Sequence, residues 1–361
     1  MAYTKTSITT PNQLLVALST FATSSGWTVL YEGDDTPIDG TTGTDGKRLV
    51  IKSPSGNTFA HFRAANGKNI FKTHSTTGYM YGVGLTCSTA YTESPTSGMW
   101  YDQTGSCQMT TGEVIGCGIP INFNTACNVY FNHISDPAEM ITISVELFTG
   151  VFQHMAVGEL YKIGSWTGGT IFSASRNGAN MFPAAMTAAS IEATSDYVFA
   201  VNARANTFLR ANIDAAPNRS PEVLWGSAGP DTATADAGYT GKRIALPVFG
   251  DDVIDNSWYP KIPHYRYIQS QTANDTGRNV NTLNCISVNL PLAVYALRDP
   301  DALSNFSQCG YVPGIYFIST RNVAPAGTYD INYPSSGNLH QTFPQTSRGG
   351  NLGYDGIAIK Q

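Results

Sequence analysis

Charge is what this chain of 361 residues has least of: Asp, Glu, Lys and Arg make up 13 per cent of it, against about 25 per cent in an ordinary soluble domain. A solitary soluble protein keeps charge on its surface to stay dispersed, so a shell of Ser, Thr, Asn, Gly and Tyr suits faces covered by neighbours. The formal net charge is −5 and Lys and Arg nowhere cluster, which removes the basic footprint of a protein that grips a phosphate backbone. Nucleic acid is not expected as the primary ligand. The opening residues, Met1 to Thr6, lack the basic and apolar regions of a secretory leader, and no run of about 18 apolar residues is present to cross a bilayer. Membrane insertion is not expected, and the chain reads as a product of the cytoplasm.

Cysteine and histidine are sparse and scattered. Cys87, Cys107, Cys117, Cys127, Cys285 and Cys309 include no Cys-x-x-Cys pair of the kind zinc sites favour. Reduced and mostly buried thiols are expected, with Cys117 and Cys127 the best-placed pair for a bridge across the Gly/Pro segment between them. The histidines His61, His74, His133, His154, His264 and His340 lack the i, i+4 and His-x-Glu spacings that build a metal site on one element. His154, closely followed by Glu159, is the most suggestive, and a hydrogen-bonded histidine in a polar junction is the expectation there. The acidic run Glu32-Gly33-Asp34-Asp35, followed by Asp39 and Asp45, offers oxygen atoms to a hard cation but lacks an EF-hand spacing, so a solvated loop is expected. There is no Gly-x-Ser-x-Gly elbow, no cysteine with a local histidine signature and no phosphate-cradling Gly-Lys-Ser/Thr; the glycines at 168 and 169 are taken as a tight turn. No carboxylate pair stands out among 26 acidic residues for glycoside hydrolysis. No enzymatic activity, cofactor or metal is expected. Nor is there a fixed-period repeat, a heptad seam or a Gly-X-Y run, which disfavours a fibrous shaft.

What is abundant is apolar and aromatic: 42 per cent of residues are hydrophobic, with 19 tyrosines, 16 phenylalanines and five tryptophans. The length suits two globular units, at roughly 100–200 residues each. Thr10 as cap, Pro11 at the first helical position, Gln13 where a capping box wants Glu or Gln, and Gly26 as the stop predict a helix between them. Leu14, Leu18, Phe21 and Ala22, with Leu15 beside them, give it one apolar face. After it, strand signals dominate. Trp27 to Tyr31 is a short strand; Arg48 to Lys52 and Thr58 to Phe62 flank a Ser53–Asn57 turn as a hairpin. Asn128 to Ile134 pairs with a run from Met140 to His154. There Thr142, Ser144 and Glu146 alternate with Ile141, Ile143, Val145 and Leu147, predicting one buried face, with Gly150 as a bulge or bend within the strand. Tyr197 to Val201, Arg243 to Val248 and Tyr311 to Ser319 are further short strands, and the C-terminus is expected to complete a sheet. The fold class is therefore mainly β, with antiparallel, sandwich-like sheets, an N-terminal α-helix and long loops. It divides into a helix-plus-sheet domain over 1–174 and a loop-rich β domain over 175–361. Exposed aromatics anchor interfaces or stack on sugars, and Trp166, Trp258, Tyr259, Tyr265 and Tyr267 are the candidate interface residues.

The segment from Val151 to Gly169, with Phe152-Gln153-His154-Met155 and Gly164-Ser165-Trp166-Thr167 inside it, resembles a family of tailed-bacteriophage virion proteins encoded among tail and baseplate genes. The capped helix leading to Gly26-Trp27-Thr28 and the Leu49–Phe62 hairpin is similar to that family's opening. Phe343-Pro344 through Arg348 to Gly353-Tyr354 is similar to its close. The stretch from Ser175 to Asn305 matches nothing in it. The resemblance implies a structural role in the virion, as a baseplate or tail-tip component that locks subunits together, with a neck or collar position as the nearest variant. It implies copies of itself and other tail proteins as partners, in a ring-like homo-oligomer assembled in the host cytoplasm, and no catalytic residues. A host-surface glycan-binding module is the rival expectation.

Overall fold

A computed structural model of the chain describes residues 2–35, 46–66, 81–93, 100–106, 114, 116–122, 124–177, 181–182, 207–212, 244–245, 290–297, 306–319, 323–330, 337–344 and 355–361. Over these the protein is mainly β, with three antiparallel sheets, none closed into a barrel, and one helix at the N-terminal end.

The helix, α1 (Pro11–Ser24), forms where its punctuation places it. The Thr10 hydroxyl accepts from the Gln13 N–H at 3.2 Å, and Gln13 reaches back past the cap to the Thr9 N–H at 2.7 Å. The reciprocal bonds of a capping box are thus made one residue further out. At the other end Gly26 takes φ +84°, the left-handed stop.

The N-terminal sheet is built from β2 (Thr28–Asp35), β3 (Gly46–Lys52), β4 (Phe59–Asn66), β5 (Tyr81–Ser88), β6 (Cys117–Pro120) and β12 (Arg176–Asn177), in the spatial order β12-β6-β5-β4-β3-β2. The central sheet runs β1-β7-β8-β9-β11-β13, from β1 (Ala2–Ile8), β7 (Cys127–Ile134), β8 (Met140–Phe148), β9 (Val151–Glu159), β11 (Thr167–Ala174) and β13 (Thr207–Asn212). The C-terminal sheet runs β14-β15-β16-β19-β18-β17, from β14 (Ile244–Ala245), β15 (Leu290–Leu297), β16 (Phe306–Ser319), β17 (Thr328–Asp330), β18 (Leu339–Pro344) and β19 (Asp355–Lys360). The short β10 (Tyr161–Lys162) joins it alongside β16.

Alternation along the central strands sends successive side chains into two different cores. Val129, Phe131, Ile141, Ile143, Val145, Met155, Val157 and Phe172 pack with α1 and with Leu49, Phe62, Val83 and Leu85 of the N-terminal sheet. Phe21 of α1 stacks on Phe131 with ring centroids 5.2 Å apart. The other face sends Tyr130, Ile134, Phe152, Ala156, Ile171 and Leu209 against Val294, Val312, Ile315, Phe343, Ile357 and Ile359 of the C-terminal sheet. The molecule is thus a stack of three β layers with its middle layer covered on both sides.

Three expectations change. From Met140 to Val145 the run has no solvent face: Thr142 and Ser144 are fully buried, on the side of the C-terminal sheet. Gly150 is not a bulge within one strand; at φ +75° it is part of the turn from β8 to β9, with Phe148 opposite Val151 across it. The glycines at 168 and 169 lie inside β11, where the pairing with β13 shifts register between Gly168 and Thr170, so they make a bulge rather than a turn. The expected boundary at 174/175 is crossed by pairings in all three sheets: β12 joins β6, β13 joins β11, and β10 joins β16. The C-terminal strand β19 completes its sheet between β16 and β18. Cys87, Cys117, Cys127 and Cys309 are buried thiols.

Candidate functional site

The outer face of the N-terminal sheet, turned away from α1, carries the densest polar and aromatic chemistry among the described residues. Strand register puts Tyr31, Val50, His61 and Thr86 in one row across β2, β3, β4 and β5, and Gly33, Arg48, Arg63 and Gly84 in the next. Two guanidinium groups therefore stand side by side on a sheet face. Arg63 is fully buried, and its Nε lies 2.5 Å from the carboxylate of Asp35, itself 3 per cent exposed; its Nη1 donates to the Met181 carbonyl at 3.1 Å. Desolvation of two charges is tolerable only when they meet each other and further polar atoms, as these do. Arg48 is held differently, by stacking: its guanidinium carbon lies 4.0 Å from the Tyr31 ring centre and 5.4 Å from that of Trp100.

Residues 100–106 and 181–182 cover this face. Gln103 ties its own segment to the stretch after β5: its amide donates to the Thr92 and Trp100 carbonyls, each at 2.8 Å, and its oxygen accepts from the Thr92 N–H at 2.8 Å. Trp100 and Tyr101 meet edge to face at 5.4 Å, and Tyr101 meets Phe182 the same way at 5.3 Å. A Cβ on Gly84 would lie 2.9 Å from that of Met181, so only glycine lets this cover sit down on β5. Burial pushes the Tyr101 phenol above its usual range, against a smaller opposite pull from Arg63.

His61 is fully buried beneath Tyr91 and Trp100, with ring centroids 5.8 and 6.3 Å away. Burial lowers its pKa to about 3, so the ring is neutral at ordinary pH. Its Nε2 lies 2.6 Å from the Ser88 hydroxyl, whose own proton goes to the Ala90 carbonyl at 2.6 Å. Nε2 must therefore be the protonated nitrogen, donating to Ser88. A histidine in that tautomer cannot take a proton from the serine, so this pair is not a nucleophile with its base.

The expected candidates fall as follows. Trp166 is partly buried against the core between the central and C-terminal sheets; its indole N–H is shared between the Ile163 and Cys309 carbonyls at 3.1 and 3.2 Å, beneath the Lys162 ammonium. It pins the segment after β10 to β16. Its neighbours Tyr161 and Ile163 are exposed. Trp258, Tyr259, Tyr265 and Tyr267 lie outside the described residues, as do Asp39 and Asp45. The acidic run is strand rather than solvated loop, and its carboxylates serve three partners: Glu32 accepts from Ser19 at 2.5 Å, Asp34 meets Lys47 at 3.4 Å, and Asp35 meets Arg63. His154 and Glu159 do not meet: His154 bonds the Ser144 hydroxyl at 2.8 Å, while Glu159 accepts from Ser53 and Ser55 across the interface with the N-terminal sheet.

Sequence reasoning passed over the Arg48–His61–Arg63 face. A signal was present, since His61 and Arg63 interrupt the apolar run of Phe59 to Ala65 two residues apart and so must share a face.

Among the described residues no helix is long and apolar enough to cross a membrane, and no group of three or more His, Cys, Asp or Glu side chains converges as a metal site. The chain matches no protein-family model, and no curated protein matches it either.

Proposed function

We propose that the chain is a structural subunit of a tailed-phage particle, a tail or baseplate component that binds copies of itself and neighbouring tail proteins and performs no catalysis. The observation that carries this reading is the position of four of the eight large apolar side chains exposed among the described residues. Phe148, 62 per cent exposed, and Val151 lie at one end of β9, while Tyr161 and Ile163 lie just past the other, about 30 Å away for a strand of this length. The two ends carry different residues, so one end meeting the other would be a head-to-tail contact, which builds a ring where the rotation closes. Such apolar side chains on a surface poor in charge favour burial by a partner. The resemblance of Val151–Gly169 to virion proteins supplies the word phage.

Mass spectrometry of purified particles, with light scattering on the isolated protein, tests it. The chain is expected in the particle in multiple copies and as a discrete oligomer in solution. A monomer at every concentration, together with absence from the particle, overturns the proposal.

A further inference from the structure

Four polar atoms around Trp100 are buried and have no hydrogen-bond partner: Trp100 Nε1, Tyr91 Oη, Arg48 Nε and His61 Nδ1. An orphaned buried polar atom forfeits its hydration with nothing in return, and native proteins keep few of them unless water or a ligand completes them. Four around one indole ring mark a place built for something else to bind. His61 is fully buried and Trp100 is 6 per cent exposed, while Tyr31, Arg48 and Tyr91, each half-buried, lie at the edge of the cluster.

The identity of the four atoms narrows the ligand. Trp100 Nε1 and Arg48 Nε only donate, and Tyr91 Oη donates or accepts. His61 Nδ1 only accepts, because the Ser88–Ala90 chain fixes the proton on Nε2. A carboxylate or a fully ionised phosphate would satisfy the donors but has no proton for Nδ1. A cation would face the Arg48 guanidinium. A hydroxyl both donates and accepts, and the surrounding rings of Tyr31, Tyr91 and Trp100 are the surfaces on which the C–H faces of a sugar ring stack. We propose that this cluster is a carbohydrate site, in which one sugar hydroxyl enters between His61 and Trp100 while the pyranose ring lies over Tyr31 and Tyr91. Water offers the same hydroxyl chemistry and is the rival occupant. The site stands independently of the tail-protein reading, since it uses a different face of the molecule from the apolar ends of the central sheet.

The test is calorimetric titration of the full chain with glucose, galactose, mannose and N-acetylglucosamine, on the natural sequence and on Tyr91→Phe, Trp100→Phe and, as a control on the C-terminal sheet, Tyr316→Phe. Saturable binding of at least one of these sugars is expected. Tyr91→Phe, which removes one oxygen and leaves the ring, should weaken it about tenfold, the loss of one good hydrogen bond. Tyr316→Phe should leave it unchanged. If Trp100→Phe lowers the unfolding temperature, Tyr91→Phe alone carries the comparison. No saturable binding of any of the four sugars overturns the proposal and leaves water as the occupant. Binding that Tyr91→Phe leaves intact overturns it as well, because the sugar then sits elsewhere.

Discussion

His61 is neutral and its burial holds its pKa well below the usual imidazole range, and that makes it a determinant of acid stability. Its ordinary pKa of 6.5 applies in the unfolded chain and about 3 applies in the fold. The unfolded state therefore binds a proton that the native state refuses, so stability is full above pH 6.5 and is lost as the pH falls from there towards 3. At about 1.4 kcal/mol per pH unit, acidification from 6.5 to 5 should cost about 2 kcal/mol through this residue. His340, lowered by its own burial against a smaller opposing pull from the Asn338 carbonyl, adds a contribution of the same sign. Urea titrations at the two pH values check this: His61→Gln should flatten the slope markedly, and an unchanged slope would count against it. Beside it, Asp35→Asn removes the carboxylate that meets the buried Arg63 guanidinium, and a loss of about 3–5 kcal/mol is expected in the same assay.

Between elements, the middle layer has to be apolar on one side and tolerate hydroxyls on the other. Cross-strand register lines up Tyr3, Asn132, Thr142, Ala156 and Ser173 in one row facing the C-terminal sheet. Asn132 and Thr142 are fully buried there without side-chain hydrogen-bond partners. Thr142→Val removes an orphaned hydroxyl at nearly constant volume and should be neutral or stabilising by about 1 kcal/mol. Ile143→Val, one residue on and facing the other core, should destabilise by about 1 kcal/mol. Denaturant midpoints of the two variants decide whether the row is a defect in packing or a hydrated contact. At the β7–β8 turn a Cβ on Gly158 would meet the Glu139 carbonyl oxygen, so Gly158→Ala is expected to cost about 1–3 kcal/mol.

This row also explains what the sequence could and could not disclose. The cap at Thr10, the stop at Gly26 and the Ser53–Asn57 turn act through near neighbours, and each is found where local chemistry puts it. Thr142 and Ser144 read as a solvent face because a hydroxyl sits equally well in water or under a second sheet, and a period of two does not distinguish them. The same limit hid the outer cluster. Trp100 and Tyr91 reach His61 only through a sheet pairing and a covering segment, whereas the Phe59–Ala65 pattern shows only that His61 and Arg63 share a side.

For the whole molecule, the two ends of the central sheet are where association should be felt. Phe148→Ser together with Val151→Ser alters only exposed positions at the β8–β9 turn, so the unfolding temperature should hardly move. Light scattering should show the proposed oligomer dissociating at higher protein concentration than for the natural sequence. An unchanged oligomer would place the contact elsewhere on the surface.

The position of β19 has a consequence during synthesis. Its residues, 355–360, fill the gap between β16 and β18, although both of those strands leave the ribosome first. Until β19 emerges, the C-terminal sheet is split in two, and Tyr130, Phe152 and Phe343 lack the cover of Ile357 and Ile359. Between the emergence of β18 and that of β19 the nascent chain therefore carries an open apolar cleft, and a ribosome stalled before codon 355 would release a product prone to aggregate rather than a slightly shortened protein.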